Sequence, residues 1–298
     1  MSYILAVGIA ALDIINTVAH YPGEDEEVRA VSQRVSRGGN AANTAALLAA
    51  AGHRCELATV LALEPDGRRI EEDLVSRGVG TQYCERRAAG KAPTSYITIA
   101  ADRGTRAIVH YRDLPEYSAE AFTEIPVESF DWLHFEGRNV EQTLPMLEQV
   151  HARRVDQPIS LEVEKERPSI ERLLPQADIL LFSKPFCAGR GYTDPGEFLQ
   201  AMAALAPGTI RFVTWGEQGA YAMDRQGTLM HCPAFEPPRV VDTVGAGDTF
   251  NAGVIDAMAS GRDLREALRR GCQLAGRKVG QLGLDGLFHQ DGSQDGSV

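Results

Sequence analysis

Residues 242–250 read D-T-V-G-A-G-D-T-F, and the chemistry of that string sets the frame for the rest of the chain. Before it, Val240-Val241-Asp242 reads as the end of a strand. After it, GDTFNAGVIDAMASG (247–261) has helical spacing. A Gly-Ala-Gly turn at Gly245, Ala246 and Gly247 joins the two, and its glycines let a ligand approach the backbone closely. The first turn of a helix carries unpaired N–H groups at the positive end of the helix dipole, so this joint is an anion site. Asp248 falls beside it. An acid there is either a helix-start charge or a base that takes a proton from a hydroxyl.

Outward from this joint, strand-like and helix-like segments alternate. Segments 3–9, 132–137, 159–164, 178–184 and 210–216 read as buried strands. Segments 40–52, 194–206, 247–261 and 263–280 read as helices, as does the stretch from Val140, with a proline interruption. The last helix opens D-L-R-E, an acidic cap with Glu266 three residues on. Such alternation predicts a doubly wound, mostly parallel sheet with helices on both faces, a three-layer α/β/α fold. Two segments depart from it. Residues 13–35 hold Pro22-Gly23 between β-like stretches, and 94–111 are two β-rich runs joined by A-D-R-G, a hairpin signal. They predict a small antiparallel sheet acting as a lid (13–35 and 93–112) on a main domain made of 1–12, 36–92 and 113–288. The end, 289–298, is polar and glycine-rich and reads as a frayed tail.

Composition narrows the function classes. With 30 Lys+Arg against 41 Asp+Glu in 298 residues, the formal charge is −11, which argues against nucleic acid or an anionic membrane as main partner. No run approaches the ~18 apolar residues of a membrane span. The apolar start has no basic lead-in and is broken by Asp13, so no signal peptide is expected. The five cysteines are dispersed without C-x-x-C, which fits a reducing cytoplasm better than a disulfide framework or a zinc site. The histidines show no ligand spacing. G-C-Q-L-A-G-R-K (271–278) only loosely resembles a Walker A loop, having Arg277 where lysine is needed and lying within a helical pattern.

A second site signal is R-G-G-N-A-A-N, Arg37 to Asn43. Glycines before an Ala-rich helix again bring backbone amides to a helix start. Asn40 and Asn43 can donate and accept, which suits a polyol, although helix caps would look the same. Asp13 follows the first apolar strand, as a cap or a hydroxyl-binding acid. E-V-E-K (162–165) reads as a strand end with solvated charges, with metal organisation second. Trp215 suits packing and ligand stacking equally.

Together, R-G-G-N-A-A-N and D-T-V-G-A-G-D-T-F resemble the two signatures of the ribokinase/PfkB sugar kinases, and within them the ketohexokinase (hepatic-type fructokinase) subfamily. Colinear segments extend the likeness over about residues 3–287: L-D-x-I at Leu12, Y-P-x-E-D at Tyr21–Asp25, S-Q-R at Ser32, F-E-G-R-N at Phe135, V-E-K at Val163 and F-S-K at Phe182. The resemblance implies ATP-dependent phosphorylation of a ketose, fructose to fructose 1-phosphate. Asp248 would be the base and the Gly245, Ala246 and Gly247 amides the anion hole, with Arg106 and Lys184 at the ATP phosphates. Asp13, Gly39, Asn40 and Asn43 would bind sugar. Asp25 would reach the neighbouring subunit's sugar site through interlocked lids of a homodimer. Trp215, Gly216, Glu217 and Gly219 would line the nucleotide, and Phe235, Pro237 and Pro238 the adenine. The N-x-x-E of many members is replaced here by Ser183-Lys184-Pro185-Phe186, so the ligands of Mg2+ stay open among Glu162, Glu164 and water. A monovalent cation such as K+ near Asp242 and Thr243 is implied by the family. Two rival readings remain: a same-fold kinase for ribose, another ketose or a nucleoside, and a non-catalytic sugar- or nucleotide-binding regulator. An intact Asp248 argues against the regulator, since binding alone needs no base.

Overall fold

In the computed structural model, which describes residues 1–102, 105–153 and 156–288, the strands are β1 (Tyr3–Val7), β2 (Ala11–Val18), β3 (Ser32–Gly38), β4 (Arg54–Ala58), β5 (Val60–Ala62), β6 (Val79–Gly80), β7 (Glu85–Arg87), β8 (Thr94–Ala100), β9 (Thr105–Tyr111), β10 (Trp132–Glu136), β11 (Ile159–Val163), β12 (Ile179–Phe182), β13 (Ile210–Thr214), β14 (Ala220–Met223) and β15 (Leu229–Cys232). The helices are α1 (Asn40–Ala50), α2 (Pro65–Ser76), α3 (Ala119–Phe122), α4 (Val140–Arg153), α5 (Lys184–Gly189), α6 (Pro195–Leu205), α7 (Ala246–Ala259) and α8 (Leu264–Val279).

Nine strands form one sheet in the order β15-β14-β13-β12-β11-β10-β1-β4-β6, parallel except at β14 and β15. Alternate residues of each strand feed opposite cores, as a pleated strand requires. Leu5, Leu133, Leu180 and Val213 pack on the face covered by α4 and α6. Ile4, Trp132, Leu181 and Phe212 pack on the face covered by α7 and α8. This is the three-layer arrangement expected from the alternation. Asp263 and Glu266 form the capping box of α8, and Asp194 with Pro195 starts α6. Pro145 does not interrupt α4, which continues through it.

Several elements had no clear sequence signal. α2 has only Ile70 and Leu74 as buried apolar side chains, too few for a helical stripe, and is started by Glu64 accepting from the amides of Asp66 and Gly67. Val240-Val241-Asp242 is not a strand. The amides of Val241 and Asp242 both donate to the Val279 carbonyl at the end of α8, at 2.8 and 3.2 Å, so the segment runs along a helix end and not in the sheet.

The second sheet has the order β3-β2-β8-β9. Its outer pairs are antiparallel, but β2 and β8 pair in parallel from Leu12↔Thr94 to Val18↔Ala100, which corrects the expectation of a wholly antiparallel unit. It also begins at Ala11 and runs on to Gly38, beyond the 13–35 boundary at both ends. Arg103 and Gly104 of the A-D-R-G turn, and the tail 289–298, lie outside the described residues. Every residue of β9 is exposed. All five cysteines are free thiols. No helix among the described residues is long and apolar enough to cross a membrane.

Candidate active site

The D-T-V-G-A-G-D string builds the site floor. Gly245 caps α7 at φ 81°, a left-handed conformation that glycine adopts without steric cost. Asp242 Oδ1 accepts from the Val244 amide at 3.0 Å and tightens the turn. The Ala246 amide is engaged by the Thr243 carbonyl at 3.4 Å, whereas no partner among the described residues takes the N–H groups of Gly245 and Gly247. The free amide donors of the turn are thus those of the two glycines, while that of Ala246 is engaged within the turn.

Asp248 is 7% exposed, in the first turn of the helix. Its Oδ2 accepts from Asn43 Nδ2 at 2.6 Å. Asn43 Oδ1 in turn accepts from Arg37 Nη1 at 2.6 Å, and Arg37 Nε reaches Asp73 Oδ2 at 2.7 Å. The Arg37 bond therefore fixes which way the Asn43 amide faces. Asn43, expected to bind sugar, is first of all the holder of Asp248. Burial pushes the Asp248 carboxyl up to about 7; the Asn43 hydrogen bond pulls it down, while Glu164, Glu136 and Asp13 push it up.

Around it lies an acidic cluster, buried at Glu162 and Glu136 and partly exposed at Glu164. Asn40 Nδ2 donates to Glu162 Oε1 and Glu164 Oε2, both at 3.2 Å. Glu162 is buried, its carboxyl raised well above the usual range by burial and then by Asp248, and its Oε2 has no partner among the described residues. The expectation of solvated charges in E-V-E-K therefore fails at Glu162, because β11 is an interior strand; Lys165, beyond the strand, is exposed. Glu136 accepts from the Ile9 amide at 2.8 Å and from Arg138 Nη1 at 2.8 Å. Arg138 also binds Glu116, which pairs with Arg112 at the foot of β9. Neither Glu136 nor Arg138 was singled out from sequence beyond the F-E-G-R-N match.

Asp13 is 8% exposed, its carboxyl raised by burial and lowered by the Ser95 hydroxyl and by Arg37 and Arg34. A cleft of about 210 Å³ is lined by Asp13, Arg34, Arg37, Asn43, Asp242 and Gly245, bringing the acid of β2 to the G-A-G turn. The small sheet also grips this loop directly. Arg106 Nη1 on β9 donates to Thr243 Oγ1 at 2.9 Å, and Arg34 Nη2 on β3 binds Asp242 Oδ2 at 2.6 Å. Arg34 went unrecognised because its partner is 208 residues away.

The residues expected at the nucleotide lie on α5, on the turn after β13 and on the segment after β15. Lys184, in the first turn of α5, has Nζ 5.2 Å from the Trp215 ring centroid. Trp215 is 5% exposed and packs in the core. Gly216 and the exposed Glu217 follow in a short turn. At Gly219 a Cβ would lie 2.1 Å from the Cys232 carbonyl, so glycine lets this turn rest on the strand leading to Phe235. Phe235 is half exposed; its backbone lies against Gly276 of α8, and the ring of Pro237 lies against Gly280, which caps that helix. Asp25 is exposed in the loop between β2 and β3, with φ 60°, and no hydrogen bond or ion pair links it to the site residues. No group of three or more His, Cys, Asp or Glu side chains suited to a metal occurs among the described residues.

The chain is similar to known proteins in sequence and in fold. The model of the pfkB family of carbohydrate kinases matches residues 1–288. Mouse ketohexokinase is 38% identical over 95% of this chain and 98% of its own length. Ribokinase of Bacillus subtilis strain 168 is 29% identical over 96% of each chain. The solved ribokinase of Giardia lamblia has the same fold, with TM-score 0.83 at 16% identity over 95% of this chain and 96% of that one. The chain belongs to the pfkB family of carbohydrate kinases and is an ATP-dependent sugar kinase.

Proposed function

We propose that the enzyme transfers the γ-phosphoryl group of Mg-ATP to a primary hydroxyl of a ketohexose, D-fructose giving fructose 1-phosphate. The carrying observation is the buried Asp248 carboxylate, held by Asn43 at the head of α7, beside the unpaired Gly245 and Gly247 amides. Asp248 takes the proton of the attacking hydroxyl. The two amides and the helix dipole stabilise charge on the phosphoryl oxygens, and such placement supplies most of the catalysis in phosphoryl transfer. Arg106 and Lys184 bind the ATP phosphates. Asp13, Gly39 and Asn40 line the sugar. Mg2+ arrives with ATP, and the partnerless buried Oε2 of Glu162, with Glu164, is the acceptor set that fits a hydrated cation. The ketohexose assignment is supported by the 38% identity to mouse ketohexokinase. An ADP-release assay over fructose, tagatose, psicose, ribose and adenosine, with NMR of the product, tests it. Fructose should be preferred and carry phosphate at C1; preference for ribose or adenosine overturns the assignment.

In this reading the small sheet, β3-β2-β8-β9, is a lid on the body built around the nine-stranded sheet. It excludes water when sugar binds. Tyr96, Ile108, Val109 and Tyr111 leave apolar surface exposed on it, Val109 at 70%. Pairing with the lid of a second copy would cover this surface and carry the partner's Asp25 to the sugar. Asp25→Ala should then raise the KM for sugar about tenfold with little change in the KM for ATP. Equal effects on both substrates, or a monomer at assay concentration by light scattering, would remove the shared-site idea.

A further inference from the structure

The family resemblance implies a monovalent cation near Asp242 and Thr243, and the side chains present do not fit one. Lys278, in the last turn of α8, is fully buried. Its Nζ donates to the Asp242 carbonyl at 2.9 Å and to the Gln281 carbonyl at 3.4 Å, and lies 3.0 Å from Asp242 Oδ2. An ammonium has three protons, and here three oxygens take them. Two backbone carbonyls and a carboxylate converging on one point are the hard oxygen donors that a bare alkali cation would need. The lysine stem runs under the catalytic turn, with Cε 3.9 Å from where a Cβ on Gly245 would stand.

We propose that Lys278 is a built-in monovalent cation: its tethered ammonium fills the oxygen cage beneath the G-A-G turn and makes the kinase independent of K+. The consequence runs through Asp242. That carboxylate is buried, and its Oδ1 holds the Val244 amide that shapes the turn. Its Oδ2 receives Arg34 from the small sheet and Lys278 from α8. A charge on Lys278 is present before any substrate arrives, so the turn is set without recruiting an ion. Lys278 is thus a positioning residue, acting on the phosphoryl site through Asp242. It also accounts for the lysine of G-C-Q-L-A-G-R-K, which a phosphate loop could not.

The test compares wild type, Lys278→Ala and Lys278→Met in K+, Li+ or tetramethylammonium chloride at one ionic strength. Turnover and Tm are both read, so the outcome does not depend on which sugar is the substrate. Wild type should vary by less than about twofold, since its cage is filled. Lys278→Ala empties the cage. In tetramethylammonium it should lose about tenfold or more in turnover, and K+ at about a hundredfold excess over its Kd should restore turnover and raise Tm by about 5 °C. Lys278→Met fills the space without charge, and should be impaired and unresponsive to K+. Should Lys278→Ala fail to fold in tetramethylammonium, its refolding yield in K+ reads the same rescue. Stimulation of wild type by K+, or a Lys278→Ala protein that responds to no cation in turnover, Tm or refolding, overturns the proposal. Absence of turnover on every sugar with the Tm pattern intact would instead sink the substrate assignment alone.

Discussion

Asp248→Asn is expected to lower turnover by about three orders of magnitude while ATP affinity by calorimetry stays within about threefold, because the variant keeps the shape of the site and loses only the base. The same change should stabilise the fold. Burial holds Asp248 at about 7, well above an ordinary carboxylate. A raised folded-state pKa means that the protonated form suits the fold. Its contribution is therefore full below the ordinary value near pH 4 and is lost as pH rises towards about 7. The Tm advantage of Asp248→Asn should open across that window and stay constant above it, at a size corresponding to a few kcal/mol. Wild-type kcat/KM should fall about tenfold per pH unit below about pH 7, where the base becomes protonated. Near-normal turnover of Asp248→Asn, or an acid limb near pH 4, removes the base assignment. Asn43, held in turn by Arg37, thus supports a charge that burial and the acidic neighbours make costly, the usual tension between stability and activity.

Gly39→Ala is expected to cost about 3 kcal/mol or more in chemical denaturation and to abolish most sugar-dependent turnover. Gly39 sits at φ 95° and ψ 128°, a region almost closed to other residues. A Cβ there would also lie 2.4 Å from the Ile9 carbonyl oxygen and 2.9 Å from Ala10 Cα. Both obstacles are backbone, between β1 and β2, and neither can rotate aside. The displacement would carry Asn40 and Asn43 with it, and with them the holder of Asp248. Gly52 is the control: its φ is 94° but nothing lies within 4 Å of its added Cβ. Gly52→Ala should therefore show the conformational penalty alone, about 1–2 kcal/mol. Equal losses in the two variants would show that the Gly39 contact is not what matters.

The elements legible in sequence were those whose signal is local. Buried parallel strands such as Leu180–Phe182 read as apolar runs because both faces are covered, and Asp263 with Glu266 announced a helix start three residues apart. α2 was hidden because its core contact is two side chains, and β6 because it is two residues long. The G-A-G turn and Asp248 were visible since the glycines, the helix start and the acid are adjacent along the chain.

What joins them in space was not. Asn43 and Asp248 are 205 residues apart, Arg34 and Asp242 are 208 apart, and Asn40 and Glu162 are 122 apart. No local pattern says which buried polar groups will meet, because each must be desolvated and then find whichever partner the packing of distant elements delivers. The sequence by itself therefore determined the layers, the G-A-G turn and the acid beside it, which depend on backbone conformation within a few residues. Only the tertiary structure decided that Asn43 holds Asp248, that Glu162 is buried, and that Lys278 reaches Asp242 under the turn. Those outcomes depend on the low dielectric and close packing formed when α1, α7, α8 and the small sheet come together.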